Sequence, residues 1–268
     1  MAHLHLLTTD VSGFDLPATL TSENHVTAVV VPENRANSEK VQSVRKVAAK
    51  LGVPVFQHQR GGPLPENLPP AEAAISWMYS QILPAVDLPR YKLGLLNMHG
   101  GKIPEFRGAN VLQWAIIQGE EEIGVTWHQI VEQVDAGPIW AESTIKMPGH
   151  WTAWEVRAEL IKEGIRLFPD AWVRWSQRKQ PVRIPDLSKG RIWPSRKPRD
   201  GYIGVGWEER RVRDMVRALC PPWPPARIDV GGVDRAVIAL APTAGDNTMS
   251  YTTAEGRVIY LALGASVD

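Results

Sequence analysis

The sequence predicts an α/β protein: a mostly parallel sheet with helices on both faces, plus a small C-terminal subdomain that contains β-strands. In the first half of the chain, short apolar runs alternate with longer amphipathic ones, which is the pattern of strand–helix–strand units. The strand-like runs are apolar almost throughout, as in parallel sheets that are buried on both faces. From Lys179 onward the composition changes to Pro-, Arg- and Trp-rich loops, which indicates a separate subdomain.

Runs that are β-branched or that alternate between apolar and polar residues predict strands. In the first half of the chain these runs lie at residues 3–8, 25–32, 53–58, 73–79 and 93–99. Residues 37–52 predict a helix between the second and third strands. Ser38 is its candidate N-cap, and Gly52 is suited to end it.

The second half of the chain carries four more predicted strands and one long helix. The strands lie at residues 124–133, 137–147, 236–242 and 258–264. Residues 151–177 predict the helix, and Pro169 is expected to kink it. The residues expected on its apolar side are Trp154, Leu160, Ile161, Ile165, Phe168 and Trp172. We expect a main domain at residues 1–180 and a small C-terminal subdomain at residues 181–268.

Composition narrows the class of protein. The chain has 268 residues, of which 44% are hydrophobic and 22% charged, as in an ordinary globular protein. Its single cysteine, Cys220, excludes an internal disulfide and a cysteine-based metal cluster. No apolar run approaches the roughly 20 residues that span a bilayer, and the first residues lack the features of a secretory signal. The cytoplasm is therefore the expected compartment.

Charge is unevenly distributed along the chain. Residues 174–217 contain 13 Lys or Arg and five Asp or Glu, whereas the net charge of the whole chain is +1. A solvated basic surface would explain this segment. A site for phosphates, on a nucleotide or on RNA, would also explain it.

Two common nucleotide motifs are absent from the sequence, and a metal site is not indicated. The first predicted strand is followed by "TTDVSGFD" rather than Gly-x-Gly-x-x-Gly, and no Gly-x-x-x-x-Gly-Lys-Ser/Thr loop occurs. His3 and His5 share one face of the first strand without a third ligand nearby in the sequence. We expect them to be half-exposed strand residues rather than zinc ligands.

The strongest functional pattern lies where the strand at 93–99 gives way to a glycine turn. Asn97 and His99 are two residues apart, so both side chains project from the same side of the strand end, and Gly100 and Gly101 leave room beside them. In parallel α/β sheets, ligands bind beyond the carboxyl ends of strands. Asp135 lies in the sharp connection after the next strand, so an amide, an imidazole and a carboxylate are expected to converge.

This trio suits acyl transfer to an amine without a covalent intermediate. Asn97 and protonated His99 can stabilise the oxyanion that forms on the attacked carbonyl, at roughly 3–4 kcal/mol per donor. Asp135 can favour the charged imidazole and accept a proton from the amine. Each residue alone also has a structural explanation: Asn and His can cap backbone groups, and Asp-Ala-Gly is common in turns.

The region from Asn97 to Gly137 resembles the signature of the folate-dependent formyltransferases. That signature is Asn-x-His-x-Ser-x-x-Pro-x-x-Arg-Gly, followed by Gly-x-Thr and Asp-x-Gly. One departure is the Gly-Lys-Ile-Pro sequence at residues 101–104, where the family has Ser-Leu-Leu-Pro. Lys102 thus places a charge where an apolar residue is usual. The residues in register are Asn97, His99, Pro104, Arg107, Gly108, Trp114, Gly119, Gly124, Thr126, Asp135 and Gly137.

The resemblance implies a Rossmann-like fold, with the catalytic domain at residues 1–180 and an auxiliary, substrate-related subdomain at 181–268. It implies that Asn97, His99 and Asp135 are catalytic and that 10-formyltetrahydrofolate is the formyl donor, without a metal. The residues expected to bind the folate are Met78, Gln81, Ile82, Leu83, Ile130, Val131, Glu132 and Val134.

The resemblance leaves three amine acceptors open. The tail after residue 190 is similar to that of sugar N-formyltransferases, which favours a nucleotide-linked aminosugar. Only about 50 residues follow Pro221, which is short for the five-stranded barrel of a methionyl-tRNA formyltransferase. A small amine such as hydroxyornithine, in siderophore synthesis, is the third acceptor. The residues expected to contact the acceptor are Arg107, Arg196, Arg199 and Trp223.

A binding module that holds a folate or nucleotide without turnover is the alternative from another class. Such a module would keep the fold and lose a member of the trio, whereas here all three are present. The expected partners are a small-molecule substrate or tRNA, no membrane, and a second copy of the chain in a homodimer.

Overall fold

The computed structural model describes residues 2–16 and 24–266. The chain divides into two units, and each is built from segments that are separated along the sequence. The first unit comprises Met1–Arg107, Gly124–Ser143 and Ile161–Arg191, and the second comprises Gly108–Ile123, Thr144–Leu160 and Ile192–Asp268. The division at residue 180 that the sequence indicates stays a prediction.

The predicted strands of the first half are confirmed, and with β7 and β8 they form a seven-stranded sheet. The order of its strands is β3-β2-β1-β4-β5-β7-β8. A separate two-stranded sheet pairs β6 with β9. In chain order the strands are β1 (Ala2–Thr8), β2 (Asn24–Pro32), β3 (Val55–His58), β4 (Ala73–Trp77), β5 (Gly94–His99), β6 (Phe106–Gly108), β7 (Glu122–Gln129), β8 (Ile139–Lys146) and β9 (Arg191–Trp193).

The large sheet is mostly parallel, as the sequence predicts. Strands β1 to β5 pair in parallel with their neighbours, whereas β7 runs antiparallel to β5. The strand order reverses direction between β1 and β4. In open α/β sheets such a reversal creates a crevice beyond the carboxyl ends of the strands, where ligands bind. The segments that follow β1 and β4 therefore flank the position at which sheets of this kind bind a ligand.

The predicted helix between β2 and β3 is confirmed as α1 (Glu39–Lys50). Ser38 is its N-cap, since the hydroxyl accepts a hydrogen bond from the backbone N–H of Val41. Val41, Val44 and Ala48 are fully buried and lie on one face at helical spacing, so burial of that face stabilises the helix. After the glycine turn the chain forms the short helix α2 (Val111–Ile117).

The long helix is confirmed as α3 (Ala153–Ser176), with Pro169 inside it. Leu160, Phe168 and Trp172 are buried as predicted. Trp154 was expected on the same apolar side, and that expectation is wrong because its side chain is 46% exposed. Trp154 lies in the first turn of the helix, where an apolar position on the helical face is not necessarily covered by other core residues.

The second unit contains a four-stranded antiparallel sheet in the order β10-β11-β13-β12. The two predicted closing strands are confirmed within β11 and β13. The unit also contains α4 (Glu209–Ala218), a helix that was not predicted and that buries Val212, Met215 and Val216. The strands are β10 (Ala226–Val230), β11 (Val233–Ala241), β12 (Thr248–Thr252) and β13 (Val258–Ser266). The fold is therefore mixed α/β with a C-terminal antiparallel β-subdomain, as predicted.

The two histidines of β1 differ from the prediction. His3 is exposed, whereas His5 is 2% exposed and therefore not half-exposed. The Nε2 of His5 lies 2.9 Å from the Pro69 carbonyl and its Nδ1 lies 2.8 Å from the Tyr91 hydroxyl. Because a carbonyl can only accept, Nε2 donates and Nδ1 accepts from Tyr91. Burial lowers the pKa of His5 to about 4.

Among the described residues, no helix has both the length and the apolar character needed to cross a membrane.

Candidate active site

Asn97 and His99 lie at the end of β5, and β7 supplies the residues opposite them. In the antiparallel pairing, Asn97 faces His128 and His99 faces Thr126. Residues directly opposite in such a pair have Cβ atoms about 5 Å apart on one face of the sheet. Four polar side chains therefore gather on the same face at this strand end.

Asp135 completes the cluster and lies between two imidazoles. Its Oδ2 is 3.5 Å from His99 Nδ1, and its Oδ1 is 3.4 Å from His128 Nε2. The same His128 nitrogen is 3.0 Å from Asn97 Nδ2. The three predicted catalytic residues are thus brought together, and their roles in catalysis stay a prediction. All of these residues belong to the first unit.

Both ring nitrogens of His99 have neighbours. Nε2 lies 2.5 Å from the Phe106 carbonyl oxygen, so Nε2 carries a hydrogen and donates it. Nδ1 faces the Asp135 carboxylate at 3.5 Å, which is longer than a strong hydrogen bond. The side chain of His99 is only 8% exposed, so the imidazole is held at a fixed position between a carbonyl and a carboxylate.

Backbone geometry explains why the sequence places Asp135 here. Asp135 has a φ of 45°, a left-handed conformation that aspartate and asparagine tolerate better than most residues. Two residues later, a Cβ on Gly137 would lie 1.9 Å from the Gln129 carbonyl oxygen, so only glycine fits. The Asp-x-Gly motif is therefore a turn that brings the chain back against the end of β7.

The Gly-x-Thr motif has a similar explanation. A Cβ on Gly124 would lie 2.6 Å from the backbone nitrogen of Lys102, so glycine lets the turn after β5 approach β7. The hydroxyl of Thr126 donates to the Gly101 carbonyl at 3.1 Å in a buried position. These contacts fix the glycine turn beside His99.

Arg107 is buried next to the Asp135 turn. Arg107 is 3% exposed, and its Nε donates a hydrogen bond to the Val134 carbonyl at 2.9 Å. Its Nη2 is buried without a hydrogen-bond partner among the described residues. The acceptor contact predicted for Arg107 stays a prediction.

The predicted folate residues lie in two loops that meet one apolar cluster. Leu83, in the loop after β4, is buried in a core cluster against which Ile130 packs; Ile130 begins the loop after β7. In contrast, the side chain of Ile82 is 71% exposed. The remaining predicted residues of these loops are Met78, Gln81, Val131, Glu132 and Val134.

The loop after β4 is held by polar contacts on its inner side. Met78 has a φ of 50°, and its carbonyl accepts a hydrogen bond of 2.6 Å from the Thr9 hydroxyl, across the crevice between β1 and β4. The amide of Gln81 donates to the His58 carbonyl at 3.3 Å. The Tyr79 hydroxyl donates to His58 Nδ1 at 2.7 Å, because Nε2 of that ring donates to a carbonyl.

The other predicted acceptor residues belong to the second unit. Arg196 is half-buried, and its Nε is buried without a hydrogen-bond partner among the described residues. Burial lowers the pKa of the Arg196 guanidinium, and the Asp200 carboxylate opposes this effect. Arg199 is exposed. Trp223 is half-buried and packs edge-to-face against Trp154, with the ring centroids 6.0 Å apart.

His128 belongs to this cluster although the sequence motifs did not predict it. This residue is 1% exposed and contacts both Asn97 and Asp135. Its neighbourhood depends on the antiparallel register of β5 and β7, which composition and periodicity do not reveal. One signal was available: His128 lies two residues beyond Thr126, so the alternation of a strand puts both on the same face.

Known proteins are similar to this chain in sequence and in fold. A sequence profile of the family described as formyl transferase matches residues 17–172. A methionyl-tRNA formyltransferase from Pelotomaculum thermopropionicum is 28% identical over 274 residues, covering 94% of this chain and 87% of that protein. The chain belongs to the formyl transferase family, and the resemblance to folate-dependent formyltransferases is confirmed.

Solved structures share the fold at low sequence identity. The N-formyltransferase from Helicobacter canadensis, in complex with folinic acid and dTDP-3-aminofucose, matches with a TM-score of 0.73 and 16% identity over 100% of both chains. A variant of HypX from Aquifex aeolicus matches with a TM-score of 0.63 and 19% identity. That match covers 97% of this chain and 45% of HypX, so this chain spans less than half of HypX.

Proposed function

We propose that the protein transfers a formyl group from 10-formyltetrahydrofolate to the amino group of a nucleotide-linked aminosugar. The main support for this chemistry is the position of the Asp135 carboxylate, which lies 3.5 Å and 3.4 Å from two imidazoles beside the Asn97 amide. The reaction needs a group that accepts a proton from the amine and groups that stabilise an oxyanion. This cluster contains both.

The amine nitrogen attacks the formyl carbon, and the carbonyl electron pair moves to oxygen. Asn97 donates an N–H to that oxygen, and the imidazolium form of His99 adds positive charge beside it. In this form the Nε2–H of His99 is directed to the Phe106 carbonyl, and its Nδ1–H lies between Asp135 and the substrate. Asp135 accepts the proton that the amine loses, directly or through water. The intermediate then collapses, the bond from the formyl carbon to N10 breaks, and N10 leaves with the proton that Asp135 took from the amine, directly or through water.

The crevice between β1 and β4 supports the donor site. The loop after β4 flanks the point where the strand order reverses, and the exposed Ile82 offers apolar surface to a pterin ring. Contacts from Thr9 and His58 hold this loop from its inner side, so its backbone is ordered before a ligand binds. Preorganisation of this kind lowers the entropic cost of binding.

The basic segment from residue 174 to residue 217 supports a phosphate-bearing acceptor. This segment contains 13 Lys or Arg and only five Asp or Glu. Arg196 is the best single candidate within it, because its half-buried cation has an Nε without a hydrogen-bond partner in the part of the chain that the structure describes, and burial lowers its pKa. An acceptor phosphate would offset the cost of burying that charge. Arg199 and Trp223 are the further proposed contacts.

Methionyl-tRNA is the second candidate acceptor. The 28% identity to a methionyl-tRNA formyltransferase over most of both chains favours it. A protein that grips tRNA neutralises several phosphates, so its affinity falls steeply with salt. A nucleotide sugar carries two phosphates, and its KM should change little over the same range.

The test is a panel of acceptors incubated with 10-formyltetrahydrofolate at low and moderate salt. The panel contains dTDP-, UDP- and GDP-linked aminosugars, methionyl-tRNA and hydroxyornithine. We expect one nucleotide-linked aminosugar to be formylated, with a shallow salt dependence and no loss of turnover on addition of a chelator. Formylation of tRNA alone, or of hydroxyornithine alone, would contradict the proposed acceptor. Turnover abolished by the chelator would contradict the metal-free mechanism.

Charge substitution locates the acceptor site. We expect Arg199→Glu and Arg196→Gln to raise the KM for the aminosugar at least about tenfold, while the affinity for folate stays unchanged. Arg60→Glu is the matched control, because Arg60 is exposed and lies outside the basic segment. If the control and the two test variants raise KM equally, general charge rather than a site is responsible.

A further inference from the structure

His128 lies within the proposed active site, yet the reaction described above assigns it no step. Its side chain is 1% exposed, and its ring packs edge-to-face against His99 with the centroids 6.2 Å apart. A buried histidine needs hydrogen-bond partners for its ring nitrogens. The partners of the two His128 nitrogens indicate a role for this residue beside the proposed oxyanion donor.

The Nδ1 of His128 lies 3.0 Å from the carbonyl oxygen of Gln129. Because a carbonyl oxygen can only accept a hydrogen bond, Nδ1 carries the hydrogen. In the neutral ring, Nε2 is then a bare acceptor. Asn97 Nδ2 lies 3.0 Å from it and donates one of its two hydrogens.

The amide orientation of Asn97 therefore depends on the charge of His128. If His128 gains a second proton, Nε2–H becomes a donor and can no longer accept from the Asn97 NH₂. The conflict is relieved when the Asn97 amide turns over and presents its oxygen to His128. The NH₂ group then lies on the other side of the amide. No N–H of Asn97 remains directed at the substrate oxygen.

We propose that His128 is a positioning residue: its neutral form, with hydrogen on Nδ1, locks the Asn97 amide so that one N–H is held by His128 and the other is directed at the formyl oxygen. This inference rests on the proposed function, in which Asn97 donates to the oxyanion. The charged groups that face His128 are His99 from β5 and Asp135 from the following turn. Asp135 Oδ1, at 3.4 Å, is farther from Nε2 than Asn97 Nδ2 at 3.0 Å, so the amide is the nearer partner of this nitrogen.

The test is a double-mutant cycle in kcat with 10-formyltetrahydrofolate and the acceptor amine identified in the panel. We expect His128→Leu to lower kcat by about tenfold or more without changing the KM for folate, because the acceptor for Asn97 is gone. We expect His128→Gln, whose side-chain oxygen can accept from the amide, to recover most of that loss. In the Asn97→Ala background, His128→Leu should cause little further loss, since His128 acts through Asn97.

Each result decides between the inference and the proposed function. Wild-type kcat in His128→Leu, or fully additive losses in the double variant, would overturn the positioning role while leaving the proposed function intact. Wild-type kcat in Asn97→Ala would overturn both. His25→Leu is the control, since His25 is exposed. Nitrogen-15 NMR of the folded wild-type protein gives an answer that does not depend on the variants. A neutral His128 ring with hydrogen on Nδ1 alone supports the inference, and hydrogen on Nε2, in a neutral or a charged ring, overturns it.

Discussion

The Nε of Arg107 donates a 2.9 Å hydrogen bond to the carbonyl of Val134, the residue that precedes Asp135. The residue before Arg107 is Phe106, whose carbonyl accepts the hydrogen of His99 Nε2. One short segment therefore holds both the imidazole and the turn that carries the carboxylate. The left-handed backbone of Asp135 is less favourable than the right-handed region even for an aspartate, so the contact from Arg107 helps to hold the turn.

Loss of the Arg107 contact should act on the chemical step. We expect Arg107→Gln to lower kcat by about tenfold or more, because the Asp135 carboxylate loses its fixed position. The KM for the acceptor should rise as well, because Arg107 is also a predicted acceptor contact. A rise in acceptor KM at unchanged kcat would show that Arg107 contacts the acceptor and does not position Asp135. Steady-state kinetics separate these results, with Arg60→Gln at an exposed position as the control.

Removal of either proposed oxyanion group should slow turnover without unfolding the protein. We expect Asn97→Ala and His99→Ala each to lower kcat by roughly a hundredfold or more. Thermal melting checks that both variants are folded. The matched controls are Asn67→Ala and His25→Ala, at exposed positions. Turnover near wild type in both site variants would show that neither group stabilises the transition state.

Ile82 gives a test of the donor site that is separate from catalysis. We expect Ile82→Asp to weaken binding of tetrahydrofolate at least about tenfold, because an apolar contact with the pterin is replaced by a charge. Calorimetry with tetrahydrofolate measures this directly. Val86→Asp is a close control, since Val86 is 64% exposed and Ile82 is 71% exposed. Equal affinities for both variants and the wild type would place the folate elsewhere.

His5 makes the stability of the fold depend on pH. Burial lowers the pKa of His5 to about 4 in the folded state, whereas the unfolded histidine keeps its ordinary value near 6.5. Between these values the unfolded state binds the extra proton, so the free energy of unfolding falls as pH falls from about 6.5 toward about 4. We expect wild type to lose about 1 kcal/mol more than His5→Gln between pH 6 and pH 5.

Urea unfolding at both pH values measures this difference. The exposed His25, changed to Gln, should leave the slope of the wild type unchanged. A wild-type protein whose unfolding free energy has the same pH dependence as His5→Gln would show that His5 is not held neutral by burial.

The sequence predicted the parallel part of the fold because local patterns specify it. The N-cap of α1 at Ser38 and the apolar strands follow from short-range chemistry, and the structure contains them as predicted. The prediction did not include α4, although Val212, Met215, Val216 and Leu219 are apolar at helical spacing, because the arginine-rich sequence around them suggested loops. The exposure of Trp154 and the burial of His5 depend on tertiary packing, which periodicity does not encode.

The sequence predicts those parts of the candidate site that a motif or the end of a strand specifies. Asn97 and His99 follow from alternation along one strand, and Asp135 follows from the turn that Gly137 makes possible. His128 reaches the site through the antiparallel register of β5 and β7. Arg107 contacts it through the carbonyl of Val134. Contacts of this kind join residues that are distant in sequence, so they become visible only in the folded structure.

The proposed reaction needs the Asp135 carboxylate as the group that accepts the proton of the amine, and one rate measures this requirement. We expect Asp135→Asn, assayed with 10-formyltetrahydrofolate and a saturating acceptor amine, to lower kcat by roughly a hundredfold or more. Its melting temperature and its affinity for tetrahydrofolate should match those of the exposed control Glu66→Gln. A folded Asp135→Asn variant that binds tetrahydrofolate and turns over at the wild-type rate would contradict the account.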